Sequence, residues 1–352
     1  MENNNEFTMP MVFNFNKAFE IPSYKYNKSR QFIEWGDGNE FPTFLNELYA
    51  ATGHAVHKSI IDRKVKMMVG KGFEDENMEQ YNEDLHRIAL DYEIFDGFSF
   101  EVIYANDKSV AQISHVPFSK VRIGIQDGEY LDPYFWYSKD WKKFRKEGYE
   151  PEYIRKWDGE YKEERVLYWY STYSPLTDHL YPLPSYSASI NSISIGYKIS
   201  EYELNLLDQG YSPSLLINFA TGIPNDEQIK EFERKFQDKF SGTKNAGKVI
   251  TTFSNGKEEA PEITAFTPIS EDKFVNLNAQ VVENIVQASG MPPQIILLTP
   301  GKLSSTDERE ELVMEFHRTY ITSRQVVLEN AFSKVFDTEI KIKDYIENDK
   351  IN

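Results

Sequence analysis

Apolar residues recur at helical spacing in the first third of the chain. Between residues 43 and 69 they fall three or four positions apart, and Gly70 and Gly72 follow where such a helix would end. The same spacing predicts a second helix over 78–94. Residues 1–40 are polar and aromatic without a clear period, so we expect an extended N-terminal arm there.

The middle of the chain alternates apolar and polar positions, as strands do. The alternation over 98–104 returns at 110–113 after a short polar turn, which predicts a hairpin. Asp158-Gly159 predicts a second hairpin turn. Most of the tryptophan falls between residues 98 and 173. We attribute this aromatic density to packed sheet faces rather than to a platform for nucleic-acid bases, because few Lys or Arg alternate with the rings.

Long helical patterns return in the second half, around a short mixed segment. Helices are predicted over 187–209, 225–240, 271–288 and 307–335, and strands over 215–219, 248–253 and 262–267. The segment Gly290-Met-Pro-Pro293 stops the third of these helices, because proline lacks the N–H that a helix needs. A loop rich in Leu, Thr, Ser and Gly is expected over 294–306. This mixture of elements predicts the α+β class.

Composition and charge exclude several classes of protein. The chain of 352 residues has 39 Lys+Arg, 56 Asp+Glu and no Cys, so a disulfide framework, a thiol nucleophile and a cysteine-ligated metal site are excluded. No run approaches 18 apolar residues, so no transmembrane helix is expected. The N-terminus lacks the basic and apolar regions of a signal peptide. The net charge of −17 argues against a protein that grips nucleic acid over its whole surface.

One motif is similar to a nucleotide-binding loop. Gly242–Lys248 matches the phosphate-loop pattern up to its last position, where Val249 replaces the Ser or Thr that ligates Mg²⁺. The predicted context, from helix to strand, is also reversed. We therefore interpret the motif as a turn. His54 and His57 lack a carboxylate pattern, and we interpret them as a solvated or interface pair rather than a metal site. No catalytic, cofactor-binding or metal-binding residue is predicted, and no enzymatic activity.

An ordered set of short segments carries a resemblance to a known family. In the second half the segments are Tyr181-Pro-Leu-Pro-Ser-Tyr186, Gly210-Tyr-Ser-Pro-Ser214, Leu215–Asn218, Pro224–Gln228, Ser241–Lys248 and Gly290–Pro293. In this order they resemble portal proteins of tailed bacteriophages, most closely those of long-tailed phages. In the first half, Gly38-Asn39, Pro42, the helix over 49–64 and Gly70–Phe73 resemble portals of phages that infect Bacteroidetes-type hosts.

The resemblance implies a portal fold with an α/β wing, a two-helix stem, a small α/β clip and a rudimentary or absent crown. The implied division is an arm (1–40), a wing (41–183 and 308–335), stem helices (184–210 and 271–290), a clip (211–270), a channel loop (291–307) and a short tail or rudimentary crown (336–352). The residues assigned to the channel loop are Leu297, Thr299, Gly301, Lys302, Ser304, Ser305 and Thr306. Those assigned to clip packing and assembly are Phe232, Phe236, Phe240 and Lys248.

The resemblance also implies a function. The chain would form a ring, usually of twelve subunits, at one capsid vertex, and DNA would be packaged and ejected through this ring. The implied partners are double-stranded DNA, the major capsid protein, the terminase large subunit and a head–tail adaptor, with no membrane. The implied location is the virion, and the host cytoplasm during assembly.

Two alternatives stay open at this point. One is a packaging enzyme that processes nucleic acid, an ATPase or a nuclease; Val249 and the lack of a coherent metal cluster in the sequence weigh against it. The other is a different structural head protein, such as an adaptor. The two long helices that flank a small α/β insertion favour a portal, because a stem needs two helices that cross to a clip and back.

Overall fold

The structure of the protein, a computed structural model, combines helices with one large sheet and two small ones. It describes residues 19–22, 24–27, 32–124, 134–160, 165–177, 180–208, 215–219, 249–253, 271–296 and 306–344. Its α-helices of more than one turn are α1 (Phe41–Ala50), α2 (Ala55–Val69), α3 (Asn82–Phe95), α4 (Ile190–Asp208), α5 (Glu271–Ser289), α6 (Thr306–Phe316) and α7 (Thr322–Phe336). Its strands are β1 (Tyr24–Asn27), β2 (Phe32–Trp35), β3 (Gly97–Tyr104), β4 (Val110–His115), β5 (Val121–Ile123), β6 (Tyr134–Tyr137), β7 (Glu152–Lys156), β8 (Arg165–Ser171), β9 (Leu215–Phe219) and β10 (Val249–Phe253).

The helical region predicted over 43–69 is two helices, α1 and α2, so the prediction of one continuous helix is wrong at its middle. A Cβ atom on Gly53 would lie 1.7 Å from the carbonyl oxygen of Leu48, so the chain turns back on itself more tightly than any other residue allows. His54 then caps α2, because its Nδ1 accepts a hydrogen bond from the N–H of Val56 at 3.2 Å.

The predicted N-terminal arm is partly wrong, because its last residues belong to the folded core. Strands β1 and β2 form an antiparallel pair, with Asn27 opposite Phe32. Trp35 at the end of β2 is fully buried and stacks on Tyr181 with ring centroids 4.6 Å apart. Residues 1–18, the rest of the predicted arm, lie outside the described residues.

The large sheet has six strands in the order β4-β3-β8-β7-β6-β5. The predicted hairpin is confirmed as β3 and β4, which pair antiparallel. The hairpin predicted at Asp158-Gly159 is wrong, because β7 and β8 pair parallel, with Arg155 beside Val166. The carboxylate of Asp158 accepts a hydrogen bond from the N–H of Glu160 at 3.0 Å, so it closes a local turn instead of a hairpin.

Aromatic rings pack one face of this sheet against α7. Phe100 of β3 stacks on Tyr168 of β8 at 4.8 Å and on Phe332 of α7 at 5.2 Å. On the other face, Trp169 stacks on Phe118 at 4.1 Å. The attribution of the aromatic density to sheet packing is confirmed. One apolar core joins this sheet to α2, α3 and α7, and a second, smaller cluster lies along β5 to β8.

Helices α4 and α5 agree with the prediction, whereas the single helix predicted over 307–335 is divided into α6 and α7 by a π-helical turn at His317–Ile321. One small strand pair lies between α4 and α5 in the described part of the chain. Helix α4 follows a 3-10 turn at Ser187–Ser189, and α5 ends at Gly290 as predicted. Strands β9 and β10 pair parallel, with Leu215 beside Val249. The predicted helix over 225–240 and the predicted strand over 262–267 lie outside the described residues.

The C-terminal residues fold back onto the turn after α2. The N–H of Lys343 donates to the carbonyl of Gly72 at 2.8 Å, and the N–H of Lys71 donates to the carbonyl of Lys343 at 2.9 Å. Ile340 and Ile342 are buried in the same core as α2 and α3. As far as residue 344, the segment expected to be a tail or rudimentary crown is therefore part of this core.

Candidate assembly surface and buried ion network

Most of the predicted site residues lie outside the described residues. These are six of the channel-loop residues, Leu297, Thr299, Gly301, Lys302, Ser304 and Ser305, and all four clip residues, Phe232, Phe236, Phe240 and Lys248. Thr306, the last channel-loop residue, is the first residue of α6. The structure therefore neither brings these residues together nor separates them.

The start of the predicted loop over 294–306 is helical, so that prediction is wrong for its first residues. Pro293–Ile296 form one helical turn, since the fixed backbone angle of proline suits the first position of a helix. Ile295 and Ile296 are buried, and Arg63 of α2 donates a hydrogen bond to the carbonyl of Ile295. The helical turn that precedes the rest of the loop is thus held against α2.

Helices α4 and α5 form an antiparallel pair. The amide of Asn284 donates to the hydroxyl of Ser192 at 3.3 Å. A Cβ atom on Gly196 would lie 3.1 Å from Val281 on α5 and 2.3 Å from the ring of His54 on α2. Gly196 therefore allows α4 to approach both α5 and the residue that caps α2 closely, and it holds this end of the pair against the rest of the protein.

The α4–α5 pair exposes five large apolar side chains along its length. We call this set the stem face; it consists of Ile195, Tyr202, Leu204, Val275 and Leu277. Leu204 is 60% exposed and Val275 is 67% exposed. Several large apolar side chains left exposed on one helix pair are typical of a site of association with another protein surface. The stem face is the best candidate for a functional surface among the described residues.

A buried ion network connects α2, α3 and α7. Its charged members are Lys64, Glu93, Asp96 and Arg324, all less than a tenth exposed. The guanidinium of Arg324 donates to Asp96, and its Nε lies 3.3 Å from Oε1 of Glu93. The Nζ of Lys64 lies 3.9 Å from Oε2 of Glu93. Two cations and two carboxylates therefore balance one another inside the core.

Tyr320 enters this network from a π-helical turn, His317–Ile321, that joins α6 to α7. Its ring lies 4.0 Å from the ammonium of Lys64, and its hydroxyl donates to Glu93 at 3.3 Å. The sequence predicts a regular helix here, and the wider turn was not anticipated. Such turns alter the direction of side chains and are frequent at functional sites.

Burial and charge change the pKa values in the network in opposite directions. Burial lowers the pKa of the Lys64 ammonium, and the attraction of Glu93 opposes that change. Burial also disfavours the charge on Arg324, but Glu93 and Asp96 outweigh it and raise the pKa of the guanidinium. Burial raises the pKa of the Tyr320 hydroxyl, so it remains a hydrogen-bond donor at neutral pH.

Asp96 links the network to the segment that precedes α4. It ends α3 in the left-handed conformation, at φ 57°. Its side chain accepts hydrogen bonds from Arg324 and from the N–H of Ser185, and its carbonyl accepts one from the N–H of Thr172 at 2.9 Å. One residue thus holds α7, β8 and the start of the α4–α5 pair together.

The two histidines of α2 do not form a solvated or interface pair, so that interpretation is wrong for His57. Its side chain is buried with its ring 4.6 Å from the ring of Tyr186, and its Nε2 has no hydrogen-bond partner among the described residues. Burial, with a smaller contribution from Lys64, lowers the pKa of His57 to about 4. Within the ranges that the structure covers, no group of three or more His, Asp or Glu residues could hold a metal ion.

His57 should make the stability of the protein depend on pH. The unfolded chain protonates this imidazole near pH 6.5, whereas the folded chain does so only near pH 4, so acid favours unfolding between these values. We expect the free energy of unfolding of the wild type to fall by about 2–3 kcal/mol more than that of His57→Phe between pH 7 and pH 4.5. Urea unfolding at each pH measures this. His86→Phe, at an exposed position on α3, is the control, and equal pH dependence of the wild type and His57→Phe would contradict the expectation.

Sequence reasoning missed the ion network, although one signal for it was present. Ile321, Leu328 and Phe332 repeat at helical spacing, which places position 324 on the buried face of its helix. A charged residue on such a face needs a buried partner. Its partners, Glu93 and Asp96, are not identifiable by spacing, because they are more than 200 residues away in the chain.

The fold is similar to those of chains in two solved structures of gene transfer agent particles. One is the neck of a native gene transfer agent particle computed with C12 symmetry, with TM-score 0.57 and 14% identity, covering 88% of this chain and 84% of that one. The other is the neck of an empty particle computed with C6 symmetry, with TM-score 0.56 and 13% identity, covering 89% and 85%. At such identity the likeness shows the fold alone, which is the expected α+β portal fold.

The chain belongs to the phage portal protein family. A model of this family matches residues 88–349, about three quarters of the chain. This family is structural rather than enzymatic. In the parts of the chain described here, every helix is too short or too polar to cross a membrane.

Two relatives share part of the sequence. An uncharacterized protein of Rickettsia bellii is 28% identical over 187 residues, which are 51% of this chain and 46% of that protein. An uncharacterized protein of Rickettsia felis is 27% identical over 187 residues, with the same coverage. The chain thus matches about half the length of either relative.

Proposed function

We propose that the chain is a portal subunit that assembles into a closed ring of twelve copies at one capsid vertex of a virion. Double-stranded DNA enters and leaves the capsid through the central channel of this ring. The major capsid protein surrounds the ring, and the terminase large subunit and later a head–tail adaptor dock on it. Assembly takes place in the host cytoplasm.

The stem face carries this proposal. Leu204 and Val275 leave apolar area in water on a helix pair that is otherwise packed through Gly196 against α2. A closed ring buries such area by the contact of each copy with the next. The twelvefold symmetry of the similar neck structure supports the number of copies. In this division α4 and α5 are the stem, residues 211–270 the clip and 291–307 the channel loop.

The charge of the protein suits a conduit. Each phosphate that Lys or Arg neutralises releases counterions and adds affinity, so a channel with many such contacts would retain DNA. A subunit with a net charge of −17 favours passage over capture. The channel loop likewise offers few contacts to phosphate, because Lys302 is the only charged residue between Leu297 and Thr306.

Single-particle imaging of the purified wild type, together with native mass spectrometry, tests the proposal. We expect a ring with a central channel and a mass of twelve subunits. A protein that stays monomeric under all conditions, including in the presence of capsid partners, would contradict the function.

Shortening the channel loop over 299–305 should separate assembly from DNA transport. We expect the ring to form, because the stem and clip provide the contacts between subunits, whereas the packaged DNA should fall at least about tenfold. A packaging assay run beside sizing of the ring measures both. In the control, the seven residues are replaced by Gly and Ser at constant length. This control separates the effect of the loop's side chains from the effect of its length.

Two results would change the role of this loop. Full packaging with the shortened loop would remove its function in transport. Loss of the ring would make the loop an assembly element.

A further inference from the structure

Two segments of opposite charge lie at opposite margins of the six-stranded sheet. The acidic segment, Glu74–Asp84, contains six carboxylates and neither Lys nor Arg. The basic segment, Lys139–Lys146, contains five cations and one carboxylate, in a chain whose net charge is −17. Neither segment has a role in the stem face or in the buried ion network.

The acidic segment covers the edge of β4. The carboxylate of Asp84 accepts a hydrogen bond from the N–H of His115 at 2.8 Å, and the hydroxyl of Tyr81 is hydrogen-bonded to the backbone of Ile113. Because β4 is an edge strand, these contacts place the acidic segment at one margin of the sheet. The outward part of the segment is exposed.

The basic segment lies beside β5, the strand at the other edge. The indole of Trp141 donates to the carbonyl of Lys120, the residue before β5, at 2.9 Å. The Trp141 ring lies 4.9 Å from the guanidinium of Arg122 in β5 and 4.8 Å from the ring of Phe32 in the neighbouring strand β2. Five strand spacings of about 4.8 Å separate β4 from β5, so the margins are about 24 Å apart.

Part of each segment is already neutralised within the subunit. In the basic segment, Lys142 pairs with Glu40 at 3.1 Å and Lys143 with Asp140 at 2.9 Å. In the acidic segment, Glu83 pairs with Arg87.

Three cations remain without a carboxylate partner in the basic segment, and five carboxylates remain without a cationic partner in the acidic segment. Two of these five, Asp75 and Asp84, accept hydrogen bonds from backbone N–H groups. Lys139, Arg145 and Lys146 are exposed and have no carboxylate partner in the described part of the chain. Glu74, Glu76 and Glu79 are exposed and have no cationic partner within the same ranges. The two margins thus present exposed charges of opposite sign to the surroundings.

We infer that the basic segment of one subunit binds the acidic segment of the next copy around the ring. The inference rests on the proposed function, because a ring built by head-to-tail contacts brings one margin of each copy against the opposite margin of its neighbour. Charge complementarity then sets the direction of assembly, since two margins with the same sign of charge repel each other. The stem face supplies apolar contact area, and the margins determine which side of each copy faces the next.

Charge reversal at each margin tests the contact. One variant is Lys139→Glu/Arg145→Glu/Lys146→Glu, which has two acidic margins, and the other is Glu74→Lys/Glu76→Lys/Glu79→Lys, which has two basic margins. We expect each alone to lose at least about tenfold in ring yield at low ionic strength, where screening is weak. An equimolar mixture should recover the ring, with alternating subunits and an even number of copies by native mass spectrometry. The variant with all six substitutions should also recover it.

The matched control for the first variant is Lys66→Glu/Lys156→Glu/Arg318→Glu, which lowers the net charge by the same amount at three exposed cations outside both segments. It should form rings like the wild type, and circular dichroism and thermal unfolding of every variant report the fold.

Three results would overturn the inference. The first is that the wild type forms rings and either single-margin variant forms them in the same yield. This result would leave the proposed function intact. The second is failure of the mixture and of the sixfold variant to recover the ring. The third concerns Lys139→Glu/Arg145→Glu/Lys146→Glu. If this variant forms rings but binds DNA or an acidic protein less well than the wild type, the basic segment serves that partner instead. A wild type that forms no ring would instead contradict the proposed function itself, and this contact with it.

Discussion

Arg324→Ala is expected to lower the free energy of unfolding by about 3–5 kcal/mol. The guanidinium bonds Asp96 and lies 3.3 Å from Glu93, and the Arg324 side chain is only 10% exposed. Its removal leaves two buried carboxylates facing one cation, Lys64. The cost comes from this uncompensated buried charge rather than from a lost surface contact. Urea unfolding at neutral pH measures the change.

Arg318→Ala provides a matched control for this loss. Arg318 lies in the π-helical turn before α7 and is exposed, so its removal should change stability by less than about 0.5 kcal/mol. The double variant Arg324→Met/Glu93→Gln should recover part of the loss, because it removes one charge of each sign. Equal unfolding of Arg324→Ala and Arg318→Ala would show that the network adds no net stability.

The sequence predicted those parts of the fold that depend on local spacing. Helices α4 and α5 were expected within three residues of their observed ends, because apolar spacing and the segment Gly290–Pro293 define them locally. The first hairpin, β3 with β4, was predicted for the same reason. A family resemblance added the antiparallel arrangement of two long helices, which spacing alone does not give.

The errors arise where distant residues decide the local structure. The break before α2 depends on the close approach of Gly53 to Leu48, which no periodicity reveals. The parallel pairing of β7 with β8 depends on the order of the strands in the sheet, in which β3 occupies the other edge of β8. Strand order is a property of the whole sheet. The partners of Arg324 are hidden among 56 carboxylates for the same reason.

The ion network and the stem face meet at the start of α4, but they should affect different measurements. Asp96 holds Ser185 and therefore the direction from which the α4–α5 pair leaves the core. The stem face lies in water in the single subunit, so changes there should leave the unfolding of that subunit nearly unchanged. A loss of assembly without a loss of stability therefore identifies the stem face as the contact.

Val275→Asp is expected to abolish the ring at micromolar concentration. Val275 is 67% exposed on α5 and belongs to the stem face. A carboxylate buried there in a contact between copies costs several kcal/mol, and about 3 kcal/mol weakens each contact roughly a hundredfold. Each of the twelve contacts in the ring would carry the same defect. Leu204→Asp should act in the same way, and size-exclusion chromatography with light scattering measures the loss of the ring.

Asn276→Asp is the control, because it adds the same charge one position along the helix at an exposed polar residue. It should form rings like the wild type if the apolar character of the stem face, and not its net charge, drives assembly. Thermal unfolding of the Val275→Asp subunit should match that of the wild-type subunit within about 0.5 kcal/mol, because the side chain makes few contacts before assembly. Wild-type ring yield from both Val275→Asp and Leu204→Asp would show that copies of the chain do not meet through this face, and the proposed stem would then need a different surface.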